Sequence, residues 1–237
     1  MDILSSLAIV TLAGLVHASF QLSVSVLTLL SGHTIGAKRS HAKLLRLISS
    51  FIFGTGLMTV LLLSFTSLVL LNIFGNNAPQ LIWAMACGLM IGVAIAIWAF
   101  YYRHEKGTTL WIPRSMATYL NKRTKLTKLS GEAFGLGLSS VVGEILFIIA
   151  PLFISALVLI QLPAIWQLIG IVIYTLVSML SIITVWVLIG SGHTLARIQQ
   201  WREANKHFMQ FTAGAGLIVL GFFVYVYQVL GSSVGVI

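Results

Sequence analysis

The sequence predicts an all-α polytopic membrane protein: six transmembrane helices as two inverted three-helix repeats, plus an interfacial amphipathic helix between spans three and four. Composition is the first reason. Of 237 residues, 58% are apolar and 8% charged, with a mean hydropathy of +1.02, whereas a soluble domain carries about a quarter charged residues. A soluble globular enzyme is thereby excluded. The second reason is segment length, since six stretches reach the roughly 20 apolar residues that a membrane helix needs. The third is charge, because all 14 Lys and Arg fall in alternate connections. Little chain is left for anything else, so residues 1–237 are one transmembrane domain, with halves 1–102 and 132–237 and a basic connection at 103–131.

The first span runs from Ile3 to Leu30. It lacks the basic flank and small-residue cleavage site of a removable signal peptide, so it is expected to remain in the mature chain. Further spans are predicted from Leu44 to Ile73, Gln80 to Tyr102, Ala133 to Ile160, Ile165 to Ile189 and Phe208 to Leu230, each apolar all round as lipid-facing helices must be. Between the third and fourth, Trp111, Ile112, Met116, Tyr119 and Leu120 recur at helical spacing among basic residues. That pattern predicts an amphipathic helix lying on the inner membrane surface. Ala84, Gly88, Gly92 and Ala96 form a small-residue ridge on the third span, a feature of close helix packing or of a homodimer contact.

Lys38, Lys122 and Arg202 mark the three basic connections, while the turns around Asn76 and around Pro163 carry no charge. Basic residues are retained on the cytoplasmic side. The expected location is therefore the plasma (inner) membrane, multi-pass, with both termini outside. The net charge of +9 is accounted for by this placement, which makes the anionic inner leaflet, and not nucleic acid, its partner. Cys87, the single cysteine, can form neither an internal disulfide nor a redox pair. No nucleotide-binding loop is present, and no cofactor is expected.

Three spans, a long connection and three more spans make an inverted repeat, because an odd number of spans reverses the second copy. Setting Gly14-Leu15 against Gly137-Leu138 without gaps places Gln21 opposite Glu144. A second match, residues 31–63 with 191–223, shares Ser31-Gly32-His33-Thr34 and Ser191-Gly192-His193-Thr194. It equates two turns on the same side of the membrane and so does not fit the first. Read locally, Ser-Gly ends a span and His-Thr sits at the interface; His33 and His193 are then termination residues or a cytoplasmic gate.

Polar residues inside spans carry the chemistry, since an ionisable group at mid-bilayer costs at least about 2.5 kcal/mol and is usually kept for function. Glu144 is the only acid within a span, roughly 17 Å from its inner end at 1.5 Å per residue. Ser140 lies one turn before it, and Pro151 two turns after it removes a backbone donor, which predicts an interruption of the helix. Such a site suits a cation or proton; alternatively, Glu144 stays protonated and donates one interhelical hydrogen bond. In the first span His17, Gln21, Ser25 and Thr28 share one helical face. They line a substrate or ion path with Ser140, Glu144 and Pro151, or they hydrogen-bond between helices. His17 and Glu144 are the candidate metal ligands.

The Ala13-Gly14-Leu15-Val16-His17-Ala18 run and the six-span plan resemble the lysine-exporter (LysE) superfamily, in particular its nickel/cobalt transporter branch, whose first motif reads G-L-x-H-A followed by D-x-D-H. Phe134-Gly135-Leu136-Gly137, followed by Glu144, is similar to that branch's F-G-L-G-F-D-T-A-T-E. Phe20, Gln21 and Leu22 stand near where the first motif carries Asp and His, Ser139 replaces the Asp of the second, and Glu144 comes one residue late. The resemblance implies a transporter of a small solute or ion, without nickel specificity.

The expected function is a secondary transporter, an exporter of a small solute or cation, with a mid-membrane site between spans one and four. An intramembrane hydrolase is disfavoured by the lack of an acid pair, a His-Glu-x-x-His run or a Ser-Lys arrangement in the spans. The competing reading is a non-transporting subunit that docks a partner protein on its basic face.

Overall fold

The computed structural model describes residues 2–21, 41–101, 118–119, 122–123, 127, 129–193 and 195–231. Among them there is no strand. In chain order the helices are α1 (Ile3–Gln21), α2 (His41–Phe74), α3 (Gln80–Ala96), α4 (Ser130–Leu159), α5 (Ala164–Ser178), α6 (Leu180–Gly190), α7 (Leu195–Ala204) and α8 (Lys206–Val224). α3 and α8 each end in a π-helical segment, Ile97–Tyr101 and Tyr225–Leu230. Five helices are long and apolar enough to cross a membrane, and the bent pair α5–α6 makes a sixth crossing when counted as one span. This is the architecture of a multi-pass membrane protein.

α4 is the most buried of these spans and α1 the next, while large apolar side chains of the other helices, such as Phe53, Phe65, Leu81 and Phe222, point outward. α4 packs on α2, α1 and α3, α1 packs also on α5 and α8, and α3 pairs with α8. The tightest crossing joins α2 to α4. A Cβ at Gly54 would collide with the carbonyl oxygen of Phe134, and a Cβ at Gly137 would collide with that of Phe51. The two glycines thus seat reciprocally against the opposing backbone, the small-residue packing that brings membrane helices together where no hydrophobic force acts between them. The ridge on α3 behaves differently. Gly88 and Gly92 are exposed, with nothing within 4 Å of an added Cβ, so they make no close approach among the described residues.

Two expectations are corrected. The fifth span is not one helix: α5 and α6 are bent by 49° at Met179. The turn lies in the backbone of Met179, at φ −85° and ψ −4°, outside the regular helical range; Thr175 Oγ1 and Ser178 Oγ beside it donate back to the carbonyls of Ile171 (2.8 Å) and Thr175 (2.9 Å), bonds that Thr55 and Ser155 also make within unbroken α2 and α4. Conversely, α4 runs unbroken through Pro151. Ser155 Oγ donates to the Pro151 carbonyl at 2.9 Å, and the buried position of Pro151 lets neighbouring helices hold the turn together, as spanning helices tolerate proline. α7 is an added element within the basic stretch between the fifth and sixth predicted spans. The expected amphipathic helix lies largely outside the described residues; within it, Thr118, Tyr119, Lys122 and Arg123 are helical, with the Arg123 guanidinium 5.7 Å from the Tyr119 ring centroid.

The second Ser-Gly-His-Thr copy ends α6. Gly192 has φ +92°, and the His193 amide donates to the Leu188 carbonyl at 3.0 Å, which is a Schellman closure. Gly192→Ala is expected to lower stability by about 1 kcal/mol, because a Cβ disfavours this backbone conformation. Gly190→Ala, with open space around its Cβ, should cost nothing. Melting in detergent compares the two.

Candidate functional site

α1 carries His17 and Gln21, four residues apart and both fully buried. His17 Nδ1 lies 3.0 Å from the Tyr174 hydroxyl of α5, and its Nε2 lies 3.5 Å from Gln21 Nε2. A neutral imidazole has one donor and one acceptor nitrogen, so the two contacts are coupled. If the Gln21 amide donates to Nε2, then Nδ1–H donates to the phenol oxygen; an amide flip reverses both roles. Gln21 Oε1 has no hydrogen-bond partner in the present orientation. The imidazole and phenol rings are tilted, with centroids 5.6 Å apart. Gly14, one turn before His17, makes this possible: its α-carbon faces the Tyr174 carbonyl and Val177, which a Cβ would meet at 3.2 and 3.1 Å.

Glu144 and Ser140 on α4 are also fully buried. Ser140 Oγ donates to the Gly137 carbonyl at 2.8 Å. Thr55 of α2 donates to Phe51 O at 3.1 Å and reaches Gly137 O at 3.5 Å. α1 and α4 meet at this depth, because Phe20, beside Gln21, stacks on Phe147, one turn beyond Glu144, with ring centroids 5.8 Å apart. The structure therefore takes His17, Gln21, Ser140 and Glu144 out of the lipid and into the bundle. A hydrogen bond joins His17 to Tyr174, a residue that the sequence reading had not selected. Tyr174 carried a signal nonetheless, as a phenol in the middle of an apolar span together with Thr175 and Ser178.

The remaining candidates fall elsewhere. Ser25 and His33 lie outside the described residues. Pro151 is buried on α4, roughly 10 Å along the helix from Glu144 at 1.5 Å per residue. His193 is exposed at the end of α6, where its Nδ1 lies 3.2 Å from Ser191 Oγ. Among the described residues no group of three or more His, Cys, Asp or Glu side chains comes together to hold a metal ion.

Tyr174→Phe is expected to cost about 1–3 kcal/mol by leaving a buried imidazole nitrogen unsatisfied. His17→Leu in the same background should restore part of that loss, since no polar ring then remains to be satisfied. A double-mutant cycle read by thermal melting measures the coupling.

No family model, no curated protein and no solved structure matches this chain.

Proposed function

We propose that the protein is a secondary transporter of a small solute or cation, related to the lysine-exporter superfamily, whose two inverted halves enclose a mid-membrane site between α1 and α4. The observation that carries this reading is the burial of an acid, an imidazole, a carboxamide and a hydroxyl at Glu144, His17, Gln21 and Ser140, deep in helices that are otherwise apolar. Ionisable groups at such depth are retained where they handle a substrate, an ion or a proton.

Support for the inverted repeat comes from one offset, 123 residues, that takes Gly14 to Gly137 and Gln21 to Glu144. The same offset takes one contact to another: Gly14 faces the carbonyl of Tyr174, and Gly137 faces the carbonyl of Phe51. Tyr174 and Phe51 are themselves a pair at this offset. Gly56 and Met179 are a further pair, and they touch each other, with Met179 Sδ 2.8 Å from a Cβ built at Gly56, as two equivalent positions beside a two-fold axis would. Packing agrees, since α1 on α5 has its counterpart in α4 on α2, and α1 on α8 in α4 on α3. Under this relation His17 and Gln21 of one half answer Ser140 and Glu144 of the other.

In proteoliposomes carrying a panel of amino acids and divalent cations, the protein is expected to move at least one solute faster than empty vesicles. If none moves, and charge reversal at Arg114, Lys122 and Arg123 abolishes the protein's cellular role, the docking-subunit reading replaces this one.

A further inference from the structure

A cleft of about 650 Å³ opens between the end of the described part of α1, α6 and α7. Its walls are apolar, formed by Leu15 of α1, Leu180 and Leu188 of α6 and Ile198 of α7. At one end stand His193 and Arg197, both exposed, beside Trp201. Among the described residues that line the cleft there is no acid. The volume is that of a pocket for a sizeable organic molecule, but these residues offer no carboxylate or thiolate to a metal ion. His193 and Arg197 follow the end of α6, in the third of the basic connections that the charge pattern assigns to the cytoplasmic side, while Leu180 and Leu188 of the cleft lie back along α6 within the apolar span. Ser191 engages His193 Nδ1 at 3.2 Å, leaving Nε2 to meet a ligand.

We propose that this cleft binds an anionic phospholipid of the inner leaflet, its phosphate between Arg197 and His193 and one acyl chain along Leu15, Leu180 and Leu188. A guanidinium beside an imidazole suits a phosphate by charge and by hydrogen-bond donors, and basic pockets between spanning helices on the cytoplasmic side hold anionic headgroups in this way. The site stands apart from the His17 and Glu144 cluster and does not depend on transport.

Trp201, on the cleft wall, reports occupancy. The full chain is reconstituted in nanodiscs containing phosphatidylglycerol or phosphatidylcholine brominated near the headgroup end of the acyl chain, and the Trp201 contribution is taken as the difference from Trp201→Phe. Phosphatidylglycerol is expected to quench Trp201 about fivefold more effectively at low mole fraction, the factor that one basic contact near the surface supplies. Arg197→Gln should erase this preference, Arg197→Lys should retain most of it, and Arg46→Gln, exposed at the start of α2, should leave it intact. Equal quenching by the two lipids, or a preference that survives Arg197→Gln, would overturn the proposal. Relief of quenching by inorganic phosphate or octanoate at submillimolar concentration would also overturn it, assigning the cleft to a soluble anion.

Discussion

Glu144→Gln is expected to insert, fold and melt like the wild-type chain and to transport nothing. The substitution keeps the side chain's shape, its carbonyl acceptor and a donor, so the fully buried position on α4 remains filled and able to hydrogen-bond. What disappears is the capacity to carry a negative charge or take up a proton. If the carboxylate neutralises a passing cation or couples transport to a proton gradient, the loss is complete, because it is the only fully buried acid among the described residues. Glu144→Ala differs in kind: it empties the site and strands whatever it pairs with, and should cost about 1–3 kcal/mol of stability as well. Proteoliposome flux measured beside detergent melting separates the two effects. A Glu144→Gln protein with wild-type flux would remove the main ground for the transport reading, while leaving the fold and the lipid cleft untouched.

The second large effect is expected at the α2–α4 crossing. Gly137→Ala adds a single methyl group, yet that methyl meets the Phe51 carbonyl and comes within 2.9 Å of the Thr55 amide nitrogen. These are backbone atoms of an opposing helix, so no rotamer change relieves the collision and the helices must separate along their length. Overpacking of this kind, against backbone on both sides, is expected to cost about 3 kcal/mol or more. Gly54→Ala should behave the same way, because its Cβ strikes Phe134 O. The double variant should cost much less than the sum, since the first substitution has already parted the helices. Gly88→Ala, in open space on α3, should lie within about 0.5 kcal/mol of wild type. Melting midpoints and the monodisperse fraction in detergent give the ranking.

The spans were legible in the sequence because an unbroken apolar stretch of membrane length has few other uses. The broken fifth span was not. Its bend lies in the backbone of Met179, at φ −85° and ψ −4°, inside a run whose apolar composition does not distinguish it from a straight span. Of the site, the polar residues of α1 and α4 were visible as exceptions in apolar segments, and both sets are buried as a polar group in a spanning helix should be. Tyr174 was missed because an aromatic residue in a span is usually read for its ring, and its hydroxyl matters only once α5 is packed on α1. Gly88 and Gly92 were recognisable by their spacing as a packing ridge, whereas Gly137 stood out only in the repeat and the motif. That Gly54 and Gly137 address each other's helices, while Gly88 and Gly92 on α3 address nothing among the described residues, required the fold.

The reciprocal seating of Gly54 and Gly137 also has a mechanical side. Two helices keyed into each other's backbone can neither slide nor roll without lifting apart, so α2 and α4 form a stiff beam through the protein, with α2 alone running 34 residues without a break. The α5–α6 span is bent by 49° at Met179, and both sides of the bend are anchored: Met179 packs against Gly56 of α2, Ser181 Oγ donates to the Ala18 carbonyl of α1 at 2.7 Å, and Trp186 Nε1 donates to Ser49 Oγ of α2 at 3.1 Å. Motion of α6 about Met179 has to break these ties first, so the beam carries the bent span with it.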